Sequence, residues 1–121
     1  MRKPQTKLER HVAKWLRAQA KDCGDTIQGV YHDLMEGGCR SGMVSHLIYY
    51  DHTIKFYRSY RVEINQLLTS AMCDFGSCSP VDIFGDKWDT DDPLACATTN
   101  QNLLAWFGFE ETARLLCEVD V

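Results

Sequence analysis

Apolar side chains recur along most of this chain at the 3.6-residue spacing of one helix face. Thr6-Lys7-Leu8-Glu9 opens the first stretch as a capping box, in which Thr6 accepts the third amide while Glu9 reaches back. Leu8, Val12, Trp15, Leu16, Gln19 and Cys23 then share a face, which predicts a helix over residues 7–22. Asp25 is placed to cap a second helix carrying Ile27, Val30, Tyr31 and Leu34, stopped by Gly37-Gly38. Ser41 opens a short third one with Val44, Leu47 and Ile48.

From Asp51 a longer stripe runs through Ile54, Tyr57, Arg61, Ile64, Leu68 and Ala71, widened by Phe56, Tyr60 and Leu67, and predicts the longest helix at 52–73. The rings and β-branched residues of its first half leave an extended segment over residues 45–57 as the rival reading. Ser79-Pro80-Val81-Asp82 joins a cap to a proline at the first helical position, predicting a short turn of helix that ends at Gly85. After a loop from Gly85 to Asp92, Asp92-Pro93 repeats that start for a helix through Gln101 and Leu104 to Phe107, with Gly108 as its stop. Glu110 to Glu118 makes a last helix bearing Ala113, Leu116 and Cys117.

These elements predict an all-α chain, a compact single-domain bundle of five to six helices spanning residues 1–121. Its expected core is Trp15, Leu16, Val30, Leu34, Leu47, Ile64, Leu68, Leu104 and Leu116. Composition agrees with one core: 121 residues, 45% apolar and 25% charged, with eight Gly and three Pro. A mean hydropathy of -0.31 and the absence of a long apolar run argue against a spanning helix or a secretory leader, so a cytoplasmic location is expected.

Charge is distributed unevenly. Residues 1–21 hold Arg2, Lys3, Lys7, Arg10, Lys14, Arg17 and Lys21 against Glu9, whereas residues 74–121 hold ten acids against Lys87 and Arg114. Within the first helix Lys7, Arg10, Lys14 and Arg17 form a candidate basic patch for nucleic acid or an acidic partner. The plainer reading is a solvated helix face.

The six cysteines, at 23, 39, 73, 78, 96 and 117, lack a secretory context and a paired zinc-ligand spacing, so reduced thiols and no metal site are expected. No nucleotide loop, dinucleotide fingerprint or zinc-protease motif occurs, and no cofactor is expected. Gly38-Cys39-Arg40-Ser41-Gly42 admits a thiolate at a helix start, with His46 or His52 as a base that nothing in the sequence places. The plainer reading is a tight helix-to-helix turn.

Asp86-Lys87-Trp88-Asp89-Thr90-Asp91-Asp92 lacks the calcium-loop pattern and reads either as an incidental acidic loop or as a contact surface with Trp88 as its aromatic anchor. On the second reading, Asp86, Trp88, Asp89 and Asp91 form the partner surface. Tyr49, Tyr50, Phe56, Tyr57 and Tyr60 interleave with Lys55, Arg58 and Arg61, a pattern open to base stacking but equally that of a helix packing its rings inward.

Two stretches carry a resemblance. Gly38-Cys39-Arg40-Ser41-Gly42-Met43-Val44, continuing to Glu63-Ile64-Asn65-Gln66-Leu67-Leu68, is the first; the second runs from Phe84-Gly85-Asp86-Lys87-Trp88-Asp89 to Asn100-Gln101-Asn102-Leu103-Leu104-Ala105-Trp106-Phe107-Gly108-Phe109-Glu110-Glu111-Thr112-Ala113-Arg114. Over residues 30–118 the chain resembles a family of small uncharacterised proteins encoded by phages and prophages. The resemblance implies a mobile-element origin and expression in a bacterial cytoplasm, and brings no catalytic residue or substrate. By analogy with small acidic phage proteins, the expected function is anti-defence: a non-enzymatic, anti-CRISPR-like inhibitor that occupies a host protein, such as a CRISPR-Cas or other defence nucleoprotein. The alternatives are a nucleic-acid-binding accessory protein using the basic first helix, and a small enzyme using Cys39.

Overall fold

The computed structural model describes residues 1–36, 53–74, 76, 79–90 and 97–118. Among the described residues the chain is all-α, with six α-helices and one 3-10 turn and no strand. They fall into two compact units, one drawn from Met1–Tyr50 with Phe109–Val121, the other from Asp51–Gly108.

The first unit begins with α1, Lys7–Cys23. Thr6 sits in extended backbone, and its Oγ1 accepts the Glu9 amide at 3.1 Å, supplying one of the partners a helix start lacks. The return half of the expected capping box differs. Glu9 spends its carboxylate on the Thr6 hydroxyl, at 3.3 Å, and on the Arg2 guanidinium, and that pairing lets a carboxylate sit only 8% exposed. Leu8, Val12, Ala13, Trp15, Leu16 and Ala20 form the buried face, whereas Cys23, expected on it, is exposed in the last turn. Gly24 then takes a left-handed φ of 63° and donates to the Ala20 and Lys21 carbonyls, which ends the helix.

α2, Ile27–Met35, is capped by Thr26 rather than by Asp25: Thr26 Oγ1 accepts the Gly29 amide at 3.0 Å, and Asp25 Oδ1 accepts the Thr26 amide at 2.7 Å. Gly29 leaves room for that aspartate, since a Cβ there would collide with the Asp25 carboxylate. Val30, Tyr31 and Leu34 are buried. They share the unit with the second half of the last helix, where Phe109 meets Trp15 edge to face at 5.1 Å and Thr112, Ala113, Leu116 and Cys117 are buried. The Arg2 amide donates to the Leu116 carbonyl at 2.7 Å, and Gln28 Nε2 donates to the Cys117 carbonyl at 2.9 Å.

In the second unit the single helix expected over 52–73 is two helices, α3 at Thr53–Ser59 and α4 at Arg61–Asp74. At Tyr60 the amide is shared between the Phe56 and Tyr57 carbonyls, both at 3.2 Å, so the turn tightens toward 3-10 geometry and the α ladder breaks. Helical backbone from Thr53 also sets aside the extended reading for residues 53–57. Phe56, Tyr57, Ile64 and Leu68 are buried, and Arg61, expected on their stripe, is exposed.

α5, Pro80–Phe84, follows the sequence expectation: Ser79 Oγ accepts the Val81 amide at 3.3 Å, Pro80 opens the helix and Gly85 ends it at φ 67°. The 3-10 turn Gly85–Lys87 occupies what the sequence reads as loop.

α6 runs unbroken over Ala97–Glu118, so Gly108 does not stop it and no separate helix begins at Glu110. The glycine answers to packing: a Cβ on Gly108 would lie 2.6 Å from Ile64 Cγ1. An interior glycine costs about 1 kcal/mol of helix propensity against alanine, and close approach to Ile64 is what that cost secures. Of the nine expected core residues, Trp15, Leu16, Val30, Leu34, Ile64, Leu68, Leu104 and Leu116 are buried, and Leu47 lies outside the described residues. No helix of the described residues is long and apolar enough to cross a membrane.

Candidate functional site

A groove of about 820 Å³ opens in the second unit, walled by one face of α4, the start of α6 and Trp88. The α4 wall carries Arg61, Val62, Asn65, Gln66, Thr69 and Ser70, pairs that recur every four residues and so share a face. Its wall from α6 is Asn100, Gln101 and Leu104, and Tyr57 of α3 completes the lining. Arg61 is the one ionisable group with a permanent charge in this set. The remainder are amides, hydroxyls and apolar surface, including Val62 at 65% exposure.

Two contacts fix the Trp88 edge. The Trp88 ring stacks on Phe84 at 5.2 Å with planes 14° apart, and Phe84 in turn meets Phe107 of α6 edge to face at 5.7 Å. Asn100, 2% exposed, clamps the next residue along: its Oδ1 accepts the Asp89 amide at 2.9 Å and its Nδ2 donates to the Asp89 carbonyl at 3.0 Å. That pair satisfies a buried side-chain amide and holds the backbone beside Trp88 in one place. Inside the groove Tyr57 donates its hydroxyl to Asn65 Oδ1 at 3.1 Å, which turns the Asn65 amide nitrogen into the available end of that side chain.

The loop residues expected at the partner surface therefore separate. Asp86 is exposed. Trp88 is half-buried, one face on Phe84 and its edge lining the groove; Asp89 is half-buried with its backbone held by Asn100; Asp91 lies outside the described residues. In the first unit Lys7, Arg10, Lys14 and Arg17 are all exposed on α1, and Lys21 continues their line. Arg2 leaves the basic set, being ion-paired with Glu9.

Cys39, with His46 and His52, lies outside the described residues, as do the Ser41 helix, Gly37-Gly38, Asp92-Pro93, Cys78 and Cys96. Cys23, Cys73 and Cys117 are free thiols, and burial pushes the Cys117 thiol above its ordinary value. Among the described residues no three His, Cys, Asp or Glu gather closely enough to hold a metal ion.

Sequence reading singled out Trp88 but missed the α4 wall. Its signal is present: Arg61, Asn65 and Thr69, beside Val62, Gln66 and Ser70, make a face that beyond Arg61 is uncharged and rich in amides, where an ordinary solvated helix carries Lys and Glu.

The profile of a family called Domain of unknown function (DUF7222) matches residues 6–119. The chain belongs to this family. No curated protein and no solved structure is significantly similar to it. The DUF7222 match runs from the Thr6 cap through the end of α6, so both the Trp88 groove and the basic face of α1 lie inside it.

Proposed function

We propose that this DUF7222 protein acts without catalysis, as a phage- or prophage-encoded anti-defence protein, anti-CRISPR-like, that works in a bacterial cytoplasm by occupying a host defence nucleoprotein through the Trp88 groove and the acidic residues that flank Trp88 in the chain. The mobile-element origin rests on the resemblance over residues 30–118. The surface rests on one observation, the pair of hydrogen bonds between Asn100 and the Asp89 backbone that holds the chain next to Trp88 in place.

A preorganised aromatic edge loses little conformational freedom on binding, and such anchors carry most of an interface's energy. The amides of Asn65, Gln66 and Gln101 suit the backbone of a partner segment. Asp86, exposed two residues before Trp88 in the chain, suits the Lys or Arg with which a nucleoprotein holds phosphate.

Two variants test the reading: Trp88→Ala, which removes the anchor, and Gln66→Arg, which fills the groove from an exposed position and leaves the Phe84 stack intact. Truncating the anchor is expected to cost about 2 kcal/mol or more in binding, roughly 30-fold in Kd, with loss of inhibition in a host-defence assay. Gln66→Arg is expected to lose binding while keeping the wild-type melting temperature. Full inhibition by a folded Gln66→Arg protein would show that the groove is not the interface.

A further inference from the structure

The geometry points to the exposed face of α1 as a second binding surface, independent of the Trp88 groove, that takes the phosphate backbone of a nucleic-acid duplex. Lys7, Arg10, Lys14, Arg17 and Lys21 follow one another at three- and four-residue steps. At ~100° per residue they fall within an arc of roughly 80° and extend over about 21 Å of helix. The buried residues Leu8, Val12, Trp15 and Leu16 centre on the opposite side, so packing alone asks for nothing but polarity on the outer face.

All five cations are exposed, and none is ion-paired to a described residue. A merely solvated helix face intersperses acids at i+3 or i+4 to pair such charges, and this one has none. The sole acid of the first 21 residues, Glu9, lies on the inner side, buried and neutralised by Arg2. The stripe thus keeps its full charge for a partner. Asp22, next to Lys21, is the nearest acid in the helix sequence outside it.

The composition of the face also selects the kind of polyanion. Duplex DNA presents one negative charge per ~1.7 Å of axis, so a line of about 21 Å runs beside roughly twelve of them. Single strands are held by stacking on rings, and no Phe, Tyr or Trp lies in the line Lys7 to Lys21, where Trp15 faces the core. Bordering the line, Ala18 is exposed and His11 half-buried. A methyl group and one partly covered imidazole are too little to read base edges, so recognition is of backbone and not of sequence.

The test uses the full chain and a labelled 20-base-pair DNA duplex of mixed sequence, with binding followed by fluorescence anisotropy between 50 and 200 mM NaCl. Three to five displaced counterions give a log–log salt slope of about -3 to -4.5, a loss of roughly 60- to 500-fold over that range. Lys14→Glu with Arg17→Glu is expected to weaken binding at 50 mM salt about tenfold or more and to flatten the slope by about 2. Lys14→Gln with Arg17→Gln, which keeps good helix formers at both positions, is expected to lose an intermediate amount.

Lys55→Glu with Arg58→Glu changes the net charge equally at exposed positions on α3 and is expected to leave binding unchanged. Absence of binding at 50 mM salt, or an equal loss in the α1 and α3 pairs, overturns the proposal. So does tighter binding of the single strand, and competition by polyglutamate as effective as by duplex at equal charge, which would assign the face to an acidic protein.

Discussion

Tyr31 illustrates how much a single buried group ties together. Its hydroxyl donates to Glu118, and burial of the ring together with the adjacent carboxylate holds its proton on far above the ordinary phenol value. Because the folded form binds this proton more tightly than the unfolded chain does, the contribution to stability is complete below about pH 10, the unfolded phenol's pKa. It is lost as pH rises from there toward the folded value. Tyr31→Phe is therefore expected to be less stable by ~1 kcal/mol at pH 7, with the gap to wild type narrowing above about pH 10 in chemical denaturation. A gap that stays constant through pH 11 would sink this account.

Pairings of this sort are invisible in sequence, since Tyr31 and Glu118 are 87 positions apart. What is legible at this scale is which large apolar side chains face inward, because helical period sets the face, though Cys23 and Arg61, read on the same faces, are exposed. Hence Leu8, Val30 and Leu116 could be read, while the Asn100 clamp on Asp89 and the Arg2 pairing of Glu9 could not.

Among elements, signals that act locally were the legible ones, although Thr26 caps α2 in place of the expected Asp25. A cap such as Thr6 or Ser79 acts through its own side chain on an amide two or three residues on, so the sequence contains the whole interaction. Gly108 does not. Whether a glycine ends a helix or lets another chain segment approach depends on a neighbour 44 positions away, Ile64, whose Cγ1 would sit 2.6 Å from an added Cβ. The same dependence hid the groove, whose walls come from α4 and α6 and meet only once Ile64 packs on Gly108.

Gly108→Ala is expected to destabilise by ~1 to 2 kcal/mol, overpacking outweighing the gain in helix propensity. Ile64→Ala alone should cost about 2–5 kcal/mol. The double variant should lose less than the two together by more than ~1 kcal/mol, because the truncated isoleucine makes the room the new methyl needs. Additivity within about 0.5 kcal/mol would mean the two positions do not compete for that space.

At the scale of the molecule, buried side chains among the described residues are spread very unevenly, and local stability should follow them. α1 buries Leu8, Val12, Ala13, Trp15, Leu16 and Ala20, and α6 buries Leu104, Ala105, Phe109, Thr112, Ala113 and Leu116 through its middle. α5 and the 3-10 turn after it bury no residue at all. α3, seven residues long, is below the length at which helix propagation offsets nucleation, and it depends on Phe56 and Tyr57.

An amide exchanges with solvent through the cheapest opening that frees it, and an opening that uncovers only half-buried side chains, as parting Phe84 from Phe107 does, costs less than one that uncovers fully buried ones. Hydrogen exchange followed by mass spectrometry is therefore expected to find the slowest amides in Val12–Ala20 and Leu104–Leu116, and fast exchange over Pro80–Lys87 although that segment is helical. The contrast separates two causes that a static fold presents as one. Local hydrogen bonding, which Ser79 and Pro80 secure for α5, sets whether a helix forms; burial sets how long it stays closed. Protection over Pro80–Lys87 equal to that of Leu104–Leu116 would show that the caps and the half-buried Phe84 contacts hold the segment as firmly as full burial does.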